Sequence, residues 1–341
     1  MDTKLNWGII GTGKIAKRFA IGLAHSKTGR LIAVGSRSEE SACKFGDEFK
    51  ISKCYGSYES LLADKDVKAV YISTPHSLHA KWAIRSAEAG KHVLCEKPVS
   101  INSAESAKII EAARKNKVFF MEAFMYRCHP QTAKLIEILK QKVIGDIKVI
   151  KAVFSYGAMY NPKSIVFDHI LGGGGILDVG CYPVSISRLI AGIAVGKDFE
   201  DPIEVKGSGY IGKGNIDEYA SAVLKFPGEI IAEVTAGITV ARENTVQIFG
   251  TGDSISILTP WVPAREGGST KIIVNKNGEP SKEVMVECSE YLYGIEADTV
   301  AGSINNGQLS NSAMSWNDTL GNMKVLDEWR ASIGFSYDFE K

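Results

Sequence analysis

Several features that would narrow the function are missing from this 341-residue chain. Its six cysteines, Cys43, Cys54, Cys95, Cys128, Cys181 and Cys288, form no CxxC pair, which excludes a paired-cysteine zinc or redox motif. No apolar run reaches membrane-spanning length. The polar stretch Met1 to Asn6 leads into an apolar run, Trp7 to Ile10, that breaks at once into glycines, too short for a secretory core. Charge of one sign is also not in excess. With 40 basic and 39 acidic residues the formal net charge is +1, so neither nucleic acid nor an anionic membrane is expected as a main partner. Internal repeats and low-complexity linkers are lacking. These absences fit a cytoplasmic protein with reduced thiols, long enough for two domains.

What is present begins with alternation. Leu5 to Ile10 reads as a strand and Lys14 to Ala24 as a helix with Ile15, Phe19 and Leu23 on one face. Leu31 to Gly35 is a second strand, followed by a helix from Glu39 to Phe49 with Ser38 as N-cap. Strands at Ala69 to Ser73, His92 to Cys95 and Val118 to Met121 alternate with helices at Leu78 to Ala89, capped by Ser77, and Ala104 to Lys115. Such βαβα order requires parallel strands joined by crossover helices, hence a doubly wound α/β sheet over residues 1–123. After a helix at Gln131 to Lys140 the pattern turns extended and β-branched. Strands are expected at Ile147 to Tyr156, Glu204 to Ile211, Ala220 to Phe226, Ile230 to Ala236 and Thr245 to Phe249, with turns at Phe226-Pro227-Gly228 and Asn277-Gly278. Two late helices, Glu290 to Asn305 and Ala313 to Ser332, complete a 124–341 domain of α+β type with a large, mostly antiparallel open sheet.

Gly11-Thr12-Gly13-Lys14-Ile15-Ala16 is a GxGxxA sequence between the first strand and the first helix. The first glycine permits the tight turn, the second lets a pyrophosphate approach the backbone, and the helix N-terminus supplies free N–H groups and partial positive charge. In this context the sequence signals dinucleotide binding. The end of the second strand should meet the adenosine ribose. There the chain has Ser36-Arg37-Ser38 and no acid before Glu39; a guanidinium and hydroxyls suit a 2′-phosphate, so NADP is favoured and NAD remains possible.

Two more sequences carry chemistry. Cys95-Glu96-Lys97-Pro98 follows a strand at the C-terminal edge of the sheet, where ligands of such sheets sit. Downstream, the run Gly172 to Gly175 leads into Ile176-Leu177-Asp178-Val179-Gly180-Cys181-Tyr182-Pro183, a DxGxY pattern. With the N-terminal GxGxxA these resemble the glucose–fructose oxidoreductase / inositol dehydrogenase family. Met121 to Pro130 and the Asp178 to Pro183 run are similar to its branch of dimeric dihydrodiol dehydrogenases and NADP-dependent D-xylose dehydrogenases. The resemblance implies Lys97 as the catalytic lysine, Tyr182 as acid/base and Asp178 at the family's aspartate position. Chemically, oxidation of a carbinol needs a base for the hydroxyl proton. A free tyrosine titrates too high, and a nearby Lys97 ammonium would favour its phenolate. In the reverse direction Tyr182 would donate the proton while Lys97 polarises the carbonyl. Plainer readings stay open: Glu96 and Pro98 shaping the turn, Asp178 capping a helix, Tyr182 packing in the core.

Ser73-Thr74-Pro75-His76-Ser77-Leu78-His79 resembles the family's TPxxxH loop at the cofactor, with His76 where many relatives have asparagine; Ser73, Thr74, Pro75, His76, His79, Glu96 and Lys97 join the expected cofactor contacts. No third ligand stands with the two histidines in a known motif, so no metal is expected. Arg127, His129, Tyr160 and Asp168 are polar candidates for substrate hydroxyls, beside Lys97, Asp178 and Tyr182. Met125, Phe154 and Trp261 are candidates for an apolar wall. Human-type dihydrodiol dehydrogenases carry tryptophan at the position of Met125, which moves the expected substrate from an aromatic diol toward a sugar or polyol. The resemblance also implies pairing through the open face of the C-terminal sheet, as a homodimer or tetramer. Two other classes remain open: a non-catalytic NAD(P)-sensing regulator of the same fold, and an NAD-dependent glycoside hydrolase.

Overall fold

The computed structural model describes residues 4–340. Its first sheet is built from β1 (Leu5–Ile10), β2 (Gly29–Gly35), β3 (Lys53–Tyr55), β4 (Ala69–Ile72), β5 (His92–Glu96) and β6 (Phe120–Ala123), interleaved with α1 (Lys14–Ala24), α2 (Glu39–Phe49), α3 (Tyr58–Ala63), α4 (His76–Glu88) and α5 (Ser103–Asn116). The strands are all parallel, in the order β3-β2-β1-β4-β5-β6. Strand order reverses between β1 and β4, which opens a crevice at their C-terminal ends. The helix starts follow local chemistry. Ser38 accepts from the Ser41 N–H at 3.3 Å and Asn102 from the Glu105 N–H at 3.0 Å. The expected Ser77 cap is not used. Pro75, extended at φ −57° and ψ 152°, precedes the first helical residue His76, and the Ser77 N–H goes to the Leu171 carbonyl instead.

Two short helices, α6 (Met125–Cys128) and α7 (Pro130–Lys140), lead into the second sheet. Its strands are β7 (Ile147–Ser155), β8 (Glu204–Ile211), β9 (Asp217–Phe226), β10 (Ile230–Gly237), β11 (Val246–Gly250), β12 (Ser254–Ile257), β13 (Glu266–Asn275) and β14 (Lys282–Tyr291), in the order β14-β13-β12-β11-β7-β10-β9-β8. Only β7 and β10 pair in parallel. Between β7 and β8 runs a helix the sequence reading did not anticipate. Its first turn, Ile176–Gly180, is π-wound and continues into α8 (Cys181–Ala194). This stretch is long and apolar enough to cross a membrane, but 89% of it is buried inside the protein, the signature of a core helix. Two helices, α9 (Leu292–Asn305) and α10 (Trp316–Ser332), complete the chain. The Glu290 and Tyr291 residues expected in a helix belong to β14, and α10 starts at Trp316 because Ser315 caps it through the Asp318 N–H at 3.2 Å.

Helix α8 lies on one face of the large sheet and fixes its sidedness. Along β9, Ala220, Ala222, Leu224 and Phe226 point toward the core, while Tyr219, Ser221, Val223 and Lys225 point outward. The start of the π-wound turn is held by Asp217, whose Oδ2 accepts from the Ile176 N–H at 2.6 Å.

Candidate active site

The glycine turn sits at the crevice. Gly11 has φ +101°, and a Cβ there would lie 3.1 Å from the Ser73 carbonyl oxygen, so the position requires glycine. Gly13 caps α1 with no neighbour within 4 Å of where its Cβ would be, leaving the helix N-terminus approachable. Thr12 Oγ1 and Ser36 Oγ are 3.4 Å apart and join the turn to the end of β2. Lys14 is exposed and Ile15 half-buried on the first turn of α1. Ser73 donates to the Ile10 carbonyl at 3.0 Å, and the buried Thr74 hydroxyl beside it has no partner. Arg37 is exposed, and among the described residues no carboxylate is paired with it. A cradle that rejects a Cβ, an open helix N-terminus, an orphaned buried hydroxyl and an unpaired guanidinium fit a phosphorylated dinucleotide.

The two histidines are spent on backbone. His76 Nδ1 contacts the Gly172 carbonyl at 2.8 Å, while His79 bridges the Pro98 carbonyl at 2.7 Å and the Thr74 carbonyl at 2.8 Å. Burial, with His76 beside it, pushes the His79 imidazole down to about 3, so it stays neutral, donating to one of the two carbonyls and lying against the other between the Thr74 and Pro98 segments. Among the described residues no group of three or more His, Cys, Asp and Glu stands ready to hold a metal.

At the C-terminal end of β5 the Lys97 ammonium donates to the Asp178 carbonyl at 2.6 Å and lies 3.4 Å from Asp178 Oδ1. Burial works against both charges. The Asp178 carboxylate nevertheless stays below its ordinary range, held there by Lys97 and then by His76, and the Lys97 ammonium is raised in return, chiefly by Asp178. Tyr182, one turn farther along the helix, is 3% exposed, and its ring centroid is 5.2 Å from Lys97 Nζ. Phe124, Phe154 and Trp261 surround it at centroid distances of 5.2, 5.1 and 5.8 Å. Phe154 and Trp261 stack on each other, and the indole N–H is anchored on the Val153 carbonyl at 2.9 Å. The Tyr182 hydroxyl donates to Met125 Sδ at 3.4 Å, a weak acceptor that a stronger one would displace.

This geometry corrects the phenolate argument. The ammonium faces the Tyr182 ring rather than its oxygen, and burial, followed by Glu96, drives the phenol well above its ordinary value. Tyr182 therefore holds its proton. Both Glu96 oxygens are taken up by neighbours: Tyr71 donates a short hydrogen bond to one, and the other accepts the Lys97 N–H at 3.2 Å.

Lys97, Asp178, Tyr182, Phe154 and Trp261 thus come together, and four other candidates do not join them. Arg127 was expected at substrate, but its guanidinium is buried against Asp318 at 2.7 Å and Ser185 Oγ at 3.2 Å. Asp318 also binds Arg188, so Arg127 belongs to an ion network tying α6 and α8 to α10. His129 is the N-cap of α7, its Nδ1 accepting from the Gln131 N–H at 3.0 Å; burial pushes it down to about 4. Asp168 closes a turn through the Ile170 and Leu171 N–H groups at 2.9 and 3.1 Å. Tyr160 is exposed and packs edge-on against Phe167. The sequence reading missed Tyr156, whose phenol donates to Asp178 Oδ2 at 2.6 Å. It also missed Glu296 on α9, wholly buried with neither carboxylate oxygen hydrogen-bonded and held protonated by burial and by Glu96.

A doubly wound parallel sheet with a dinucleotide cradle at its crevice is the architecture of a nicotinamide-dependent oxidoreductase. Residues 5–124 match the oxidoreductase family with an NAD-binding Rossmann fold, and residues 132–256 match the GFO/IDH/MocA C-terminal domain. A trans-1,2-dihydrobenzene-1,2-diol dehydrogenase of Xenopus laevis is 33% identical over 343 residues, spanning 99% of this chain and 100% of the relative. An uncharacterized oxidoreductase of Rhizobium meliloti is 34% identical over 330 residues, 95% of each. The chain belongs to the GFO/IDH/MocA oxidoreductase family, that of glucose–fructose oxidoreductase and inositol dehydrogenase. The fold is shared with a 3-ketoreductase from Actinomadura kijaniata, solved with NADP and TDP-benzene (TM-score 0.86, 24% identity, 96% of this chain and 98% of that one). It is shared also with an aldose-aldose oxidoreductase from Caulobacter crescentus complexed with glycerol (TM-score 0.85, 23% identity, 97% and 98%).

Proposed function

We propose that the protein is an NADP(H)-dependent oxidoreductase that interconverts a carbinol and a carbonyl of a sugar, polyol or cyclic diol. Tyr182 is its acid/base and Lys97 holds the substrate oxygen. The observation that carries this reading is the pairing of a charged Lys97 with a protonated Tyr182 in one aromatic-walled site. The nicotinamide supplies or takes the hydride. The chain does the rest. N–H groups around Gly11 to Gly13 and the N-terminus of α1 hold the pyrophosphate, and Arg37 with Ser36 and Ser38 takes the 2′-phosphate.

Lys97 stabilises the negative charge that builds on the carbonyl oxygen during reduction, and the Tyr182 hydroxyl gives its proton to that oxygen in place of its contact with Met125. Because Tyr182 is held as a phenol, the site is poised for carbonyl reduction, with carbinol oxidation the reverse. Phe154, Trp261 and Met125 exclude water and offer a face to a ring.

The domain of residues 1–123 binds the cofactor, and that of residues 124–341 supplies the substrate wall and the contact between copies. The outer face of the large sheet exposes Tyr210, Tyr219, Val223 and Ile231 on the neighbouring strands β8, β9 and β10, side chains suited to burial in a homodimer. A cytoplasmic location suits six free cysteines. Absorbance of the nicotinamide, followed with NADPH against ketones and aldoses and with NADP or NAD against aldoses, inositols and cyclic diols, tests the reading. Turnover with a member of the panel, faster with the phosphorylated cofactor, supports it. Tight cofactor binding with no turnover in either direction contradicts it.

A further inference from the structure

Asp178 is gripped from two sides, and only one of the two belongs to the site as read from sequence. Tyr156 follows β7 directly and stands two residues beyond Phe154, hence on the same face of the strand as that pocket wall. Its backbone N–H is tied to the Gly237 carbonyl at 2.9 Å, which extends the β7–β10 pairing by one residue and fixes where the ring stands. From there its hydroxyl reaches Asp178 Oδ2 at 2.6 Å, while the Lys97 ammonium takes Oδ1 at 3.4 Å and the Asp178 carbonyl at 2.6 Å.

We infer that Tyr156 is a positioning residue of the hydride-transfer site: by clamping Asp178 it sets where the Lys97 ammonium stands against Tyr182. This rests on the roles given to Lys97 and Tyr182 above. The physical need is plain. A carboxylate turns easily about its last torsion, and an ammonium on a four-carbon stem has little orientation of its own. With only the lysine to hold it, Asp178 would move with the lysine. A phenol fixed to the sheet gives the pair a rigid reference. It does so without adding charge, because burial and the adjoining Asp178 carboxylate raise the Tyr156 phenol far above its ordinary value and keep it a donor.

The groups facing Asp178 are Lys97 and Glu96 from the end of β5, His76 from α4, Tyr156 from β7, Cys181 from α8 and Tyr337 from the C-terminal segment. Of these, only Lys97 and Tyr156 hydrogen-bond its carboxylate.

The test is Tyr156→Phe, which keeps the ring and removes one hydroxyl, read beside Lys97→Met and Tyr182→Phe. Losing one hydrogen bond to a charged group lowers kcat about tenfold and leaves the NADP dissociation constant unchanged. The acid limb of the pH–rate profile moves to higher pH, because the Asp178 carboxylate has lost a donor to its charged form. An unchanged limb overturns the inference, whether kcat is unaltered or falls together with the melting temperature as a merely structural role would require. If Lys97→Met and Tyr182→Phe keep wild-type turnover, the site reading itself fails. If they abolish turnover while Tyr156→Phe keeps the wild-type profile, only the role of Tyr156 falls.

Discussion

The Lys97 ammonium lies 5.2 Å from the centre of the Tyr182 ring and donates to Asp178, so the two groups expected to react together are neighbours without a hydrogen bond between them. That spacing leaves the Tyr182 hydroxyl, with only a thioether for partner, and the remaining lysine protons to converge on one substrate oxygen.

Cofactor choice is assigned to Arg37, exposed just beyond β2 and paired with no carboxylate among the described residues. Arg37→Asp replaces an attractive charge by a repulsive one at the 2′-phosphate. Titration of the apoprotein should show NADP weakened roughly ten- to a hundredfold, the span of one charge-assisted contact, with NAD little affected. Equal weakening of both cofactors would return Arg37 to the solvated surface.

Arg127 is assigned to stability. Asp318→Ala leaves Arg127 as an uncompensated buried charge and Arg188 with Asp201 alone, and should cost about 3–5 kcal/mol in denaturant unfolding. Arg127→Met, which leaves the Asp318–Arg188 pair in place, should lower stability less while leaving substrate KM unchanged. A large rise in KM at undiminished stability would restore Arg127 to the substrate.

Asp217 makes stability depend on pH. Burial raises its carboxyl to about 7, against about 3.9 for an exposed aspartate. The folded protein therefore holds a proton that the unfolded chain releases between these values. Its stabilising contribution is complete below about pH 4 and is lost as pH rises toward 7. The melting temperature should fall across that window, and Asp217→Asn, which still accepts from the Ile176 N–H, should flatten the fall. An identical slope in the variant would show that another group is responsible.

The outer sheet face is assigned to a second copy of the chain. Val223→Lys combined with Ile231→Lys replaces two exposed apolar side chains of the β9–β10 face by charges and should convert a dimer to monomer in sedimentation velocity. A wild-type protein that sediments only as monomer at working concentration would contradict the assignment.

The parallel sheet was legible because its elements are locally determined. Glycines at the first turn, Ser38 before α2 and alternating apolar runs each carry their own signal. Short β3 and α3 offered too few residues for a period, and β12 to β14 have faces too mixed to stand out. The helix through Asp178 and Tyr182 was hidden by its own burial. It follows four glycines, which read as loop, and nearly all its residues, Ser185, Ser187 and Arg188 included, are buried, so no solvent-facing side marks it out.

Within the site, Lys97, Asp178 and Tyr182 stood in contiguous sequence patterns, whereas the fates of their neighbours depended on distant residues. Arg127 is neutralised by an aspartate 191 positions away, and Tyr156 reaches Asp178 only because the end of β7 and the π-wound turn are brought together by the second sheet. Neither relationship leaves a local mark. Polar residues near a motif therefore read alike, whether they face substrate or brace the fold.

The most direct test of the central claim is steady-state turnover of Lys97→Met and Tyr182→Phe, with NADP binding measured on the same preparations. The account predicts that each substitution lowers kcat by about a hundredfold or more while the cofactor dissociation constant stays at its wild-type value. Near-normal turnover in both variants would contradict it and place the proton transfer elsewhere in the site.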